Sequence, residues 1–120
     1  VPGGGVALLR LVKESQDVGA KIFYEAIKTP IRQIAGNAGR NAETIIEKIL
    51  ENKNVNFGWD AKVNEYKDMT ENGIIDAVKV TYKALENAVS MAVMFLGAES
   101  LIVELPEEEK QPDFSGGAFP

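Results

Sequence analysis

Residues 1–10, VPGGGVALLR, put three consecutive glycines directly in front of an apolar run. Glycine has no β-carbon, so the backbone of this loop can take conformations that other residues avoid, and its amides are left uncovered. The run from Val6 to Lys13 is apolar on almost every side, which predicts a helix at the centre of a core. A short polar break at 15–17 follows and offers a cap for the next helix.

Apolar residues at helical spacing continue after this break. They predict a second helix from about Val18 to Ala35, in which Pro30 causes a kink or a restart and Thr29 acts as a cap. Gly36 and Asn37 are predicted to end it, and Asn41 to cap a third helix. The buried stripes predicted for the two helices comprise Phe23, Ile27, Ile31 and Ile34, and then Ala42, Ile45, Ile46, Ile49 and Leu50.

The hydrophobic period then changes from that of a helix to that of a strand. Val55, Phe57 and Trp59 alternate with polar residues and glycine, which is the pattern of a half-buried strand. Residues 60–64 are predicted to turn the chain, and residues 65–69 to return as a hairpin partner or as a short helix.

Two further elements are predicted in the last third of the chain. Asn72-Gly73 signals a turn, and Asp76 is the predicted cap of a helix from Ala77 to about Leu96. Residues 100–105 alternate again and predict a final strand that Pro106 ends. The buried stripe predicted for the last helix comprises Thr81, Leu85, Ala88, Ala92 and Phe95.

Composition excludes several classes of function. The chain contains no Cys and no His, which removes disulfide frameworks, thiol nucleophiles, Cys/His zinc sites and Ser-His-Asp triads. A formal charge of -5 without a basic stripe argues against a nucleic-acid partner. The longest apolar stretch, from Ala88 to Ala98, falls short of the roughly 18–20 residues that span a bilayer, and no signal peptide is predicted. We therefore expect one globular domain with no nucleic-acid and no membrane partner.

Taken in order, the landmarks of the sequence resemble a known family. They are PGGGVALLR at 2–10, PIRQI at 30–34, NAG at 37–39, FGWDA at 57–61, GIID at 73–76, KVT at 79–81, ALENA at 84–88 and VELP at 103–106. This ordered set resembles the C-terminal part of the equatorial domain of group I chaperonins, the GroEL family. The resemblance implies a mainly α, multihelical equatorial-domain fragment with a small β-hairpin and a C-terminal strand. Residues 1–106 would form this ATP-binding domain portion, and residues 107–120 a flexible acidic tail that contains glycine.

The resemblance also implies a nucleotide site. In the family, the equatorial domain holds ATP and makes most of the contacts between subunits. The middle glycine of its triple-glycine loop lies against the nucleotide and corresponds to Gly4. The Tyr-Asn-Ala segment that touches the adenine corresponds to Trp59, Asp60 and Ala61, and the aspartate that hydrogen-bonds the ribose hydroxyls corresponds to Asp76. The candidate cofactor-binding residues are therefore Gly4, Asp60, Ala61 and Asp76, and no catalytic or metal-binding residue is assigned.

Several parts of the family pattern are changed or missing. The linker between the first two helices is shorter, Asp60 replaces the usual Asn, and Ala77 replaces the usual Pro. The family's phosphate-binding segment, its magnesium-holding and water-activating aspartates, and its apical domain have no counterpart in these residues. The resemblance thus implies ATP with magnesium as the cofactor of a parent protein, an ATP-dependent chaperonin that assists protein folding. We expect no tightly bound nucleotide on this chain, which is predicted to be inactive by itself.

The same residues have plainer interpretations. Alone, the glycine run is a flexible start, Asp76 a helix cap, Asp60 a turn residue and Trp59 part of the core. The alternative to the chaperonin hypothesis is therefore a helical structural module that self-associates and binds no nucleotide. A free-standing enzyme is poorly supported, because no base, nucleophile or complete phosphate cradle is visible.

The expected partners follow from the resemblance. They are other chaperonin subunits in a double-ring homo-oligomer, together with unfolded protein clients and a co-chaperonin that bind through domains this chain lacks. The expected location is the bacterial cytoplasm, with an organellar matrix as the alternative. An unpaired apolar strand at 100–105 also predicts that the chain itself associates, since an open strand edge can pair with another copy.

Overall fold

The computed structural model describes residues 1–98, and these fall into two units that divide between Leu85 and Glu86. The elements in chain order are α1 (Val6–Leu9), α2 (Val18–Ala26), α3 (Thr29–Asn37), α4 (Ala42–Glu51), β1 (Phe57–Asp60), β2 (Glu65–Asp68) and α5 (Val78–Gly97). The fold is therefore mainly α with one antiparallel hairpin, as predicted. The predicted strand at 100–105, Pro106 and the acidic tail lie outside the described residues.

The first helix is shorter than predicted. It ends at Leu9 rather than Lys13, and Arg10 is its C-cap. The chain then continues in tight turns, in which the Leu11 amide donates to the Leu8 carbonyl at 3.0 Å. The expectation of a central position is correct for Val6 and Leu9, which are fully buried, but Leu11 is 46% exposed.

The predicted restart at Pro30 is confirmed, because α2 ends at Ala26 and α3 begins with Pro30 in its first turn. Proline fits there since the first helical amides need no partner inside the helix. Thr29 was expected to be the cap, but it is already helical and the cap position is Lys28. The buried stripe of α2 was also overestimated, since Phe23 is 36% exposed.

Side-chain caps and a glycine stop fix the neighbouring helix ends. The Asp17 carboxylate accepts from the Ala20 amide at 2.9 Å, and the Asn41 side chain accepts from the Thr44 amide at 3.2 Å, as predicted. Helix α3 ends at Asn37, and Gly39 takes the left-handed conformation with φ 68°. Ion pairs join α3 to its two neighbours, because Arg32 of α3 contacts Glu43 of α4 at 2.7 Å and Glu25 of α2 at 2.9 Å.

The predicted hairpin is confirmed, and residues 65–68 form a strand rather than a helix. Strands β1 and β2 are antiparallel, with Trp59 opposite Tyr66. The first strand begins at Phe57, whereas Val55 is 61% exposed, so the predicted alternation does not extend that far. Gly58 is buried together with Trp59, because Val6 and Met69 pack over its α-carbon.

One apolar cluster forms the core of the first unit. Helices α1, α3 and α4 and the hairpin all contribute to it, and it contains no buried charge among the described residues. Leu50 was expected in this core but is 39% exposed. The members are Val6, Leu9, Ile31, Ala35, Ile45, Ile46, Ile49, Trp59 and Met69.

Helix α5 buries less of itself than its apolar pattern predicts. It begins at Val78, one residue later than expected, and none of its residues is fully buried. Thr81 and Leu85 are half-buried, whereas the remaining stripe positions Ala88, Ala92 and Phe95 are exposed. Apolar residues occur all round this helix, so periodicity could not identify a single covered face. No helix in the described range has the length and apolarity to cross a membrane.

Candidate functional site

The glycine loop is tied to the segment that precedes α5. The Gly3 amide donates to the Ile74 carbonyl at 2.9 Å, and Val1 and Asp76 exchange two backbone hydrogen bonds at 3.1 and 2.9 Å. Pro2 and Ile75 form an antiparallel bridge between these contacts. The chain start and the residue predicted to bind ribose are therefore brought side by side by backbone pairing.

The loop requires glycine for two separate reasons. Gly4 and Gly5 have φ values of 67° and 81°, a region that side-chain-bearing residues rarely adopt. A β-carbon on Gly4 would lie 2.8 Å from the Met69 Cε atom, and one on Gly5 would lie 3.0 Å from the Ile31 backbone nitrogen. A side chain on Gly4 would thus displace the end of the Met69 side chain, whereas one on Gly5 would press against the backbone of Ile31.

Gly4 and Asp76 line the same cavity, which has a volume of about 390 Å³. Its walls come from the glycine loop, α1, α3 and the first turns of α5. Asp76 is the one charged residue of the lining, Thr81 contributes the one hydroxyl, and the others are glycine or apolar. The lining residues are Gly4, Gly5, Ala7, Leu8, Pro30, Ile34, Asp76, Val80, Thr81 and Ala84.

The Asp76 side chain does not cap helix α5. The Asp76 backbone pairs with Val1, and the helical amides of Val80 and Thr81 donate to the Ala77 carbonyl at 3.0 and 3.2 Å. Across residues 1–98 the Asp76 carboxylate has no hydrogen-bond donor of its own. The cap interpretation is therefore wrong, and the carboxylate at the cavity wall is available to a ligand.

Asp60 and Ala61 lie apart from this cavity. Asp60 ends β1, pairs with Lys67 at 2.9 Å and accepts from the Lys62 amide at 3.0 Å. The hydrogen bond from Lys67 lowers the pKa of the Asp60 carboxyl below its ordinary value. Ala61 is partly buried against the core. The structure thus brings together two of the four predicted site residues and leaves the other two in the hairpin turn, where nucleotide contact stays a prediction.

The hairpin nevertheless touches the glycine loop from the other side. The Trp59 carbonyl oxygen would be 3.7 Å from a β-carbon on Gly4. The Trp59 ring itself is only 2% exposed, and its Nε1 donates to Asn64 at 3.1 Å. Phe57 stacks on Tyr66 with the ring centroids 5.9 Å apart. The core interpretation of both aromatic residues is therefore favoured over a base-stacking platform.

Two residues that support the site were not predicted. Met69 lies under Gly4, and the Arg10 guanidinium donates to the backbone carbonyls of Asn52 and Asn54 at 2.8 and 2.7 Å. Burial lowers the pKa of Arg10. A cation inside an apolar run was a signal for Arg10, because such a charge needs local acceptors. Met69 carried no signal, since methionine is ordinary core filler.

Comparison with known proteins relates the chain to one protein family. A sequence profile of the TCP-1/cpn60 chaperonin family matches residues 1–106. Among solved structures, the chain is similar to the open-state monomer of a group II chaperonin from Methanococcoides burtonii, with 26% identity and a TM-score of 0.70 over 80% of this chain. It is also similar to a group III chaperonin in the open state, with 30% identity and a TM-score of 0.72 over 81% of this chain. It spans only 27% and 22% of those two chains.

Proposed function

The chain belongs to the TCP-1/cpn60 chaperonin family, and from this we propose that it supplies the adenine and ribose side of a nucleotide site in an ATP-dependent folding machine. The observation that carries the proposal is that Gly4 and Asp76 line one cavity. A bare glycine backbone permits close approach of a ligand, and a carboxylate accepts from two hydroxyls at once. Thr81 adds a hydroxyl to the same wall.

The lining fits a nucleoside better than a nucleotide. Its glycine, alanine and aliphatic side chains suit a planar base, and Asp76 suits a ribose. None of the ten lining residues is Lys or Arg, so a triphosphate would find no compensating cation there. In the described range no group of three or more acidic side chains could hold a metal ion. ATP with magnesium is therefore proposed for the parent protein, and no hydrolytic step is assigned to this chain.

The group I assignment is part of the proposal. It is supported by the ordered landmarks of the sequence, from the glycine loop to VELP at 103–106, while the solved relatives described above are group II and group III chaperonins. On this assignment the parent assembles with other chaperonin subunits into a double ring, acts on unfolded proteins with a co-chaperonin, and works in a bacterial cytoplasm or an organellar matrix.

Self-association is the second candidate function, and exposed apolar side chains of the first unit favour it. Val18 and Ile22 on α2 are 70% and 66% exposed, and Val80 at the start of α5 is 66% exposed. Val18 and Ile22 are one helical turn apart, so they expose apolar surface side by side, and adjoining exposed apolar side chains favour contact between proteins. Light scattering over a concentration series would test this candidate, and a monomer at every concentration would contradict it.

Titration of the 120-residue chain with adenosine, ADP and ATP, followed by amide chemical shifts, tests the nucleotide proposal. We expect dissociation constants in the millimolar range, about 4 kcal/mol of binding free energy, because the phosphates find no partners. Adenosine and ATP should bind within a few-fold of each other, and the shifts should be centred on Gly4, Asp76 and Thr81. Micromolar ATP binding, or shifts that avoid the cavity, would refute it.

A further inference from the structure

Met69 lies at the point where three separate parts of the candidate site meet. These parts are the glycine loop, the hairpin and the segment that leads to Asp76. The Met69 side chain is 1% exposed and belongs to the core cluster. Its contacts reach all three parts, which no sequence pattern indicated.

The Met69 side chain packs between Gly4 of the glycine loop and Gly58 of the hairpin. Its Cε atom would be 2.8 Å from a β-carbon on Gly4. Its Cγ and Sδ atoms would be 2.6 and 3.0 Å from a β-carbon on Gly58 in β1. Met69 therefore fills the space between two glycines, and each glycine is without a side chain where the methionine needs room. The length of this side chain thus contributes to the spacing between the loop and the hairpin, where the Trp59 carbonyl also faces Gly4.

The backbone of Met69 holds the third part. Its amide donates to the Asn56 carbonyl at 2.8 Å, and its carbonyl accepts from the Ile74 amide at 2.8 Å. The Ile74 carbonyl in turn accepts from Gly3 at 2.9 Å. A closed path of contacts thus runs from the glycine loop through Met69 to Ile74 and back to the loop.

We propose that Met69 is a positioning residue that fixes Gly4, the hairpin and the approach to Asp76 in one arrangement. The unbranched thioether reaches from Gly58 to Gly4 without a branch that would collide with either glycine. Leucine has a similar volume, but it branches at Cγ and ends one atom short of Cε. We therefore expect the core to tolerate leucine in place of Met69, while the contact with Gly4 is lost. The relevance of this arrangement to a ligand rests on the proposed nucleotide function.

Hydrogen exchange on the full 120-residue chain tests the inference without any ligand. The variants are Met69→Leu and, as a control in the same core cluster, Ile49→Val, which removes one methylene from helix α4. We expect Met69→Leu to speed exchange of the Gly3 and Asp76 amides about tenfold more than that of α4 amides, because only the contacts around the loop are loosened. Ile49→Val should show no such preference. Uniform acceleration in both variants would overturn the inference.

Adenosine titration of the same variants separates this inference from the proposed function. We expect Met69→Leu to weaken adenosine binding at least threefold and Ile49→Val to leave it unchanged at equal stability. If the native chain binds no adenosine while the exchange pattern appears, the nucleotide proposal fails and Met69 still positions the loop. If binding is weakened equally by both variants, the positioning role for the ligand is refuted.

Discussion

The Arg10 guanidinium donates to the carbonyl of Asn52 at 2.8 Å, and so fastens the end of α1 to the segment that leads into the hairpin. Further bonds run to the carbonyls of Asn54 at 2.7 Å and Phe57 at 3.4 Å. The Nε atom is buried without a partner in residues 1–98. Arg10 therefore connects two parts of the first unit through backbone acceptors rather than through a carboxylate.

Replacing this cation should destabilise the first unit. We expect Arg10→Met to lower the free energy of unfolding by about 2 kcal/mol, because charged hydrogen bonds to carbonyls are lost while the packing of the stem is kept. Urea unfolding followed by the fluorescence of Trp59, the single tryptophan of the chain, measures it. Arg40→Met, at an exposed position, is the matched control and should cost less than about 0.5 kcal/mol. Equal losses of unfolding free energy in the two variants would contradict a stabilising role for the Arg10 hydrogen bonds.

Three glycine-to-alanine variants should separate backbone strain from steric collision. Gly36 is helical with open space around it, so Ala should stabilise by about 0.5–1 kcal/mol. Gly39 has φ 68° and also faces open space, so Ala should cost about 1 kcal/mol. Gly5 combines φ 81° with contact at 3.0 Å to the Ile31 nitrogen, so Ala should cost about 2–4 kcal/mol. Thermal melts that fail to give this order would refute the account of the loop.

The stability of the hairpin should depend on pH through Asp60. Lys67 lowers the pKa of Asp60 in the folded state, so its contribution to stability is complete above the ordinary carboxyl range and is lost as the pH falls through the lowered value. We expect Asp60→Asn to be less stable than the native chain at about pH 7 and equally stable near about pH 2. Urea unfolding of both chains across this range gives the difference. A difference that does not change with pH would show that the ion pair makes no contribution.

The two predicted acidic site residues should differ in their effect on ligand binding. We expect Asp76→Asn to weaken adenosine binding about threefold, because one acceptor for the ribose hydroxyls becomes a donor. It should leave the unfolding free energy unchanged, since the native carboxylate accepts no hydrogen bond from residues 1–98. Asp60→Asn should lower the free energy of unfolding, because Asp60 pairs with Lys67. It should leave adenosine binding unchanged, because Asp60 lies outside the cavity lining.

Deoxyadenosine supplies the control for this comparison. If Asp76 accepts from the ribose, removal of the 2′-hydroxyl should weaken binding to the native chain more than binding to Asp76→Asn, which keeps one acceptor. Amide shift titrations of the four combinations give the coupling between hydroxyl and carboxylate. Independent effects of the two changes would place the ribose elsewhere.

Local chemistry made several elements predictable from the sequence. Asn41 caps α4 because its side chain replaces a missing helical acceptor, and Pro30 restarts a helix because its ring fits only a first turn. The first strand followed from the alternation at 55–59, whereas residues 65–69 were predicted to be either its hairpin partner or a short helix. In the site, Gly4 and Asp76, which line one cavity, were proposed from family resemblance rather than from a sequence pattern.

Long-range packing was not predictable in the same way. The exposure of Phe23 and Leu50 depends on which other elements cover each helix, and periodicity does not contain that information. Met69 could not be identified because its role arises from the free space at Gly4 and Gly58, which are distant in sequence. The position of Asp60 outside the cavity follows from its place at the end of β1, and no sequence pattern located that strand end relative to the glycine loop.

The backbone pairing between Val1 and Asp76 has a consequence for the order of folding during synthesis. These two residues are 75 positions apart, so the ribosome must release nearly the whole first unit before the hydrogen bonds that hold the glycine loop can form. Contacts between residues so far apart in sequence form slowly compared with the contacts within a helix, because a long segment must first be closed into a loop. The helices and the hairpin can therefore be in place before the cavity exists, and the cavity is among the last features of the unit to be completed.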